Sequence, residues 1–187
     1  LEKLILSENK IRGDLLAKAP KKKFGRAEKD EADTSPLASL VQMLKSSKCT
    51  VTELSLSGNP LGDGGGVSIS KALRGNRSLT SLDLQLNNIR DEGATAIGEM
   101  LLVNGSMTEV NLDGFALPVK KLKGTDPVER LDLSGKDIGV ASAVVIASLI
   151  GANGSLTSLD LGETQLGSNG GLAIAEALKI NSSLRCL

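Results

Sequence analysis

Residues 79–106 read LTSLDLQLNNIRDEGATAIGEMLLVNGS. In the first half, Leu79, Leu82, Leu84, Asn87 and Ile89 fit L-x-x-L-x-L-x-x-N-x-L, a short strand with inward apolar side chains that turns at an asparagine. In the second half, Ala94, Ile97, Met100 and Leu101 fall at helical spacing, so one helix face is apolar. Asp91 and Glu92 open that helix, where carboxylates favour the positive end of its dipole. The same frame restarts at Met107.

Carried along the chain, the frame begins at Leu1, Val51, Leu79, Met107, Val128, Leu156 and Leu184, at intervals of 50, 28, 28, 21, 28 and 28 residues. A fixed period of this size implies units that stack side by side and share one core. The stretches VTELSLSGNPLGDGGGVSISKALRGNRS, LTSLDLQLNNIRDEGATAIGEMLLVNGS and LTSLDLGETQLGSNGGLAIAEALKINSS resemble leucine-rich repeats of the ribonuclease-inhibitor-like subtype, which has a full helix per repeat. The resemblance implies an α/β solenoid, a horseshoe with parallel strands on the concave face and helices on the convex face. One continuous array over residues 1–187 is expected, and both ends read as cut inside a unit.

Two units depart from the pattern. Unit 1 has its strand at LEKLILSENKI and its helix only at about residues 36–47, where Ser35 and Pro36 spell a helix start. Between them lies a charged insert, residues 12–34, basic first and acidic afterwards, whose composition predicts a flexible loop. The sharper reading of the insert is a docking hook, with Lys21, Lys22, Lys23 and Arg26 for an acidic partner and Phe24 as anchor. Unit 4, residues 107–127, has Phe115 at the turn-asparagine position, and Pro118, Gly124 and Pro127 leave no room for a three-turn helix. An extended or single-turn crossover on the convex side is predicted there, with Val119 and Leu122 plugging the core and a local change of curvature or a shallow groove near Leu117 to Pro127. Lys136 and Thr164 stand at the asparagine position of units 5 and 6.

Charge and composition exclude several functions. Lys+Arg and Asp+Glu are 22 each, a balance that argues against nucleic acid as a partner. With no histidine, Ser-His-Asp and Cys-His arrangements and H-E-x-x-H zinc sites are excluded within this sequence. Cys49 and Cys186 stand far apart in the stack, so free thiols, a reducing compartment and a cytoplasmic location are expected. No apolar run is long enough to span a membrane. Gly62 to Gly66 and the Ser68 to Lys71 S-x-x-K match read as helix-entry and helix spelling, not as phosphate or nucleophile motifs. No catalytic residue, metal site or cofactor is expected. The N-x-S sequons at Asn76, Asn104, Asn153 and Asn181 share one repeat position, which predicts a turn role.

Strand alternation predicts the solvent side of the strands. It carries Glu53, Asp83, Gln85, Glu109, Asp113, Arg130, Asp132 and Asp160, an acidic face on a neutral chain, with Asp83, Asn111, Asp132 and Asp160 expected in one column. The expected function is a non-enzymatic scaffold that binds a protein partner, a basic one, through that face or the rim. The spelling is also similar to Ran GTPase-activating proteins and to the repeats of NOD-like receptors, which implies a GTPase-regulating or sensor role as the alternative.

Overall fold

The computed structural model describes residues 2–12 and 36–186. The insert residues 13–35, with Ser35, Lys21, Lys22, Lys23, Phe24 and Arg26, lie outside the described residues. In chain order the elements are β1 (Lys3–Ile5), α1 (Pro36–Lys45), β2 (Glu53–Ser55), α2 (Gly62–Leu73), β3 (Ser81–Asp83), α3 (Asp91–Val103), β4 (Glu109–Asn111), β5 (Ala116–Pro118), α4 (Val119–Lys123), β6 (Arg130–Asp132), α5 (Val140–Ile150), β7 (Ser158–Asp160) and α6 (Gly167–Ile180).

The first four strands pair in parallel at constant register, Leu4 to Leu54, Leu54 to Leu82 and Leu82 to Val110. Each regular unit buries the inward pair of its strand: Leu54 and Leu56, Leu82 and Leu84, Leu159 and Leu161. These meet the buried helix residues Ile69 and Leu73, Ile97 and Leu101, Val145 and Leu149, and Ile174 in one continuous core. Burial of this kind is the main stabilising term, about 25 cal/mol per Å² of apolar surface removed from water.

Unit 4 breaks the sheet. In units 1 to 3 the free edge of each strand takes the strand of the next unit; at β4 that edge is taken by β5, which runs antiparallel with Val110 opposite Leu117. The five-stranded sheet ends there, and β6 and β7 form a second, parallel pair. The expected single sheet is therefore two. Val128 and Leu131 of unit 5, whose counterparts in units 2, 3, 4 and 6 are buried, are only partly so. The crossover expected on the convex side is instead split, β5 lying in the strand layer beside β4 and only the short α4 following it, while Val119 and Leu122 are fully buried, as the sequence predicts.

The helix layer has no such break. With no long helix in unit 4, α3 packs directly on α5, so closely that a Cβ on Gly98 would stand 2.5 Å from Ser148 Oγ. Asp91 at the start of α3 accepts a 3.0 Å hydrogen bond from the Asn169 side-chain amide of α6, linking helices on either side of α5.

Turn chemistry repeats with the units. The residue just before the asparagine position has positive φ in every one: Glu8, Gly58, Leu86, Gly114, Gly135 and Glu163. Left-handed backbone favours glycine, so Leu86, 77% exposed there, is held by its neighbours rather than by its own preference. At the other end of the units, three of the four sequon asparagines, Asn76, Asn104 and Asn153, are buried, and Asn181 is half-buried. Asn104 is 2% exposed; its Nδ2 donates to the carbonyls of Leu73 (2.7 Å) and Asn76 (3.0 Å), and its Oδ1 accepts from the amides of Ser106 and Met107, both at 2.9 Å. Asn181 repeats this on Ile150, Asn153, Ser183 and Leu184, and Asn153 on Lys121, Leu122, Ser155 and Leu156. Each side chain ties one unit to the one before it. In unit 4, where Thr125 holds the asparagine position, the ammonium of Lys123 bonds the carbonyls of Leu101 (2.9 Å) and Asn104 (3.0 Å), one unit on from the pair that Asn104 bonds. Partial burial holds the Lys123 pKa below the usual lysine value.

Candidate interaction surfaces

The register fixes two rows on the open face of the first sheet. One runs Lys3, Glu53, Ser81, Glu109 and the other Ile5, Ser55, Asp83, Asn111. The second sheet places Arg130 beside Ser158 and Asp132 beside Asp160. The single column expected from Asp83 through Asn111 to Asp132 and Asp160 is thus divided, because Ala116 of β5 sits next to Asn111.

The aspartates are held by their own turns. Asp83 Oδ1 accepts the Gln85 amide at 3.2 Å, Asp132 Oδ1 the Ser134 amide at 2.9 Å, and Asp160 Oδ1 the Gly162 amide at 2.9 Å. An aspartate that bonds the backbone two residues on closes a turn, which gives the L-D-L spelling a structural cause. The second Asp83 oxygen accepts from Ser55 Oγ, itself bonded to Ser7 Oγ. Ser134 also donates its hydroxyl to Asp132 at 2.6 Å, and these hydrogen bonds hold the Asp132 carboxyl below the usual range, with Lys136 adding a smaller attraction. Lys136 lies over the Phe115 ring at 5.9 Å, so the two residues at the altered turn positions of units 4 and 5 meet each other.

Asp113 was expected on the strand face, and its carboxylate is engaged elsewhere: Oδ2 accepts from the amides of Gly139 (3.1 Å) and Ser142 (2.8 Å), capping α5 of the next unit. Asp63 caps α3 in the same way through the amides of Arg90 and Gly93. Glu53 forms an exposed ion pair with Lys3 at 2.8 Å, a contact worth little by itself. Among the described residues no ion pair engages Asp83, Glu109, Arg130, Asp132 or Asp160. The strand face thus presents Glu53, Asp83, Glu109, Asp132 and Asp160 against Lys3 and Arg130, still acidic but less so than the sequence count that left out unit 1. The inter-unit capping by Asp63 and Asp113 and the role of Lys123 carry no sequence signal beyond residue type. Cys49 and Cys186 are free thiols.

Residues 47–70, 75–98 and 152–175 match the Leucine Rich repeat family. Three segments of the chain, less than half of its length, read as leucine-rich repeats. The matched segments start a few residues ahead of Val51, Leu79 and Leu156, in the phase set by the strand register. Among solved structures, that of leiomodin-1 actin-binding site 2 is similar, at 20% identity over 82% of this chain and 78% of that one, with a TM-score of 0.49. No curated protein matches. No helix among the described residues is long and apolar enough to cross a membrane, and among them no cluster of acidic or thiol side chains has the arrangement of a metal site.

Proposed function

We propose that these leucine-rich repeats, ribonuclease-inhibitor-like in carrying a full helix in each regular unit, form a protein-interaction scaffold whose open strand face receives a basic surface of a partner. The observation that carries this reading is the set of strand-face carboxylates, one on the first sheet and two side by side on the second, whose orientation is fixed by backbone hydrogen bonds. Charges held in place before binding lose little side-chain freedom on binding and steer an oppositely charged partner. The two free thiols support a reducing, intracellular setting.

The test separates charge from fold. Asn at positions 83, 132 and 160 keeps the Oδ1 acceptor that closes each turn and removes the charge, while at position 83 the oxygen that accepts from Ser55 Oγ becomes an amide donor to it. A lysine-rich probe peptide, titrated at low ionic strength by fluorescence anisotropy, is expected to bind the parent chain and to lose about tenfold in affinity to Asp83→Asn/Asp132→Asn/Asp160→Asn, at roughly half a kcal/mol per exposed charge. Equal binding by the two, with unchanged urea midpoints, refutes the role of the strand face.

A further inference from the structure

We infer that the rim formed by the helix-to-strand loops of units 1 to 4, separate from the strand face, is a docking groove for an acidic, extended segment of a partner polypeptide. Three clefts of about 400, 540 and 230 Å³ run along it and are continuous, the first sharing Gly75, Asn76 and Arg77 with the second and the second sharing Gly105 with the third. Every ionisable amino-acid side chain with ordinary charge that lines them is a cation: Lys45, Arg74, Arg77, Lys120 and Lys123. Arg74 is paired with Glu99, and Lys123 is used by the backbone, which leaves Lys45, Arg77 and Lys120 without an ion pair among the described residues, one or more per cleft.

Cations near helix C-termini also answer the helix dipole, and Lys45 in the last turn of α1 does so. Arg77 does not. It lies in the loop beyond α2, and at the same repeat position the other units have Cys49, Gly105, Asp126, Gly154 and Ser182, so the turn itself asks for no cation there. The floor is rigid, because Asn76 and Asn104 are buried and bonded to the backbone. One wall is apolar: Val103 is 59% exposed beside the cations of the middle cleft. Charge along the groove with one apolar contact fits an acidic peptide carrying an apolar side chain. Among the described residues no aromatic side chain lines the groove, so nucleobases have nothing there to stack on. Two to three helix spacings of about 9 Å correspond to roughly six to eight extended residues.

The probe is a short synthetic peptide of glutamates with a central leucine, titrated into the whole chain at low salt and read by chemical-shift mapping and anisotropy. Binding is expected with shifts at Gly75, Arg77, Gly105 and Lys120, a loss of about tenfold or more in Lys45→Gln/Arg77→Gln/Lys120→Gln, and a smaller loss when the central leucine is replaced by serine. The strand-face variant Asp83→Asn/Asp132→Asn/Asp160→Asn is expected to bind this peptide as the parent does, so failure here leaves the strand-face reading to its own test. Absence of binding at low salt overturns the proposal. So does a single-stranded oligonucleotide that binds the same rim as tightly as the peptide, which would make the groove a general polyanion site, or shifts confined to the strand face.

Discussion

Replacing Asn104 by alanine tests what joins one unit to the next. The amide of Asn104 satisfies two carbonyls of unit 2, Leu73 and Asn76, and two amides of its own turn, Ser106 and Met107, all at 2.7 to 3.0 Å in a site 2% exposed. A net hydrogen bond contributes about 1 kcal/mol, and a buried group left without a partner costs about 1–3 kcal/mol. Some of the four groups recover water once the side chain is gone, so a loss of about 3–5 kcal/mol is expected, a large share of the roughly 5–15 kcal/mol that holds a domain together. Asn9→Ala is the internal control: that asparagine is exposed and donates only to the Ser7 carbonyl, so its loss is expected to stay within about 0.5 kcal/mol. Urea unfolding followed by circular dichroism gives both values, and hydrogen exchange at Ser106 and Met107 reports the local opening. A loss below about 1 kcal/mol for Asn104→Ala, or equal losses at the two sites, refutes the view that this ladder locks the stack. Asn104→Asp refines it: the acceptor remains while a carboxylate is set against two carbonyls, so the variant is expected to be at least as unstable as the alanine at neutral pH and to recover as the acid protonates.

Two further outcomes follow from the aspartates. Asp63→Ala and Asp113→Ala each remove a cap that one unit lends to the helix of another, and each is expected to cost about 1 kcal/mol in urea unfolding, with exchange increased at Gly93 in the first and at Ser142 in the second. Ser134→Ala removes the largest cause of the low Asp132 pKa, so the Asp132 carboxyl, followed by carbon NMR, is expected to titrate at higher pH in the variant. The sign is that of a carboxylate favoured by folding: its contribution is present above the unfolded carboxylate range and is lost as pH falls through the folded pKa, so Ser134→Ala narrows the acid stability difference rather than reversing it.

Much of the architecture was legible because repetition averages out local ambiguity. A strand of three residues is unreadable alone, yet Leu54, Leu82 and Val110, and again Leu131 and Leu159, recur at a spacing of 28, and the structure pairs each with the next. Where the repeat failed, so did the reading. Residues 110–117, VNLDGFAL, place Asp113-Gly114 between alternating apolar residues, which is a hairpin signal in its own right. Reading the segment as one more parallel unit hid the antiparallel return of β5 and the bonds that Asp113 makes to the start of α5. Lys123 was hidden for another reason: its role depends on two carbonyls of the previous unit, Leu101 and Asn104, and on the absence of an asparagine two residues later. Neither is visible in a pattern of apolar positions.

The same segment sets how the two halves of the array meet. Parallel strands lie about 4.8 Å apart and packed helices about 8–10 Å, so a regular stack of these units curves with its strands inside. At unit 4 the balance is reversed, because the strand layer gains β5 while the helix layer lacks a long member and α3 meets α5. Extra width on the strand side and a shortage on the helix side oppose the regular curvature at this point. The bond between Asp91 of α3 and Asn169 of α6 joins the two helices that flank α5 at their ends. The carboxylates therefore lie on two facets, Glu53, Asp83 and Glu109 on one and Asp132 and Asp160 on the other, and a partner that engages both must present two basic patches rather than one continuous strip.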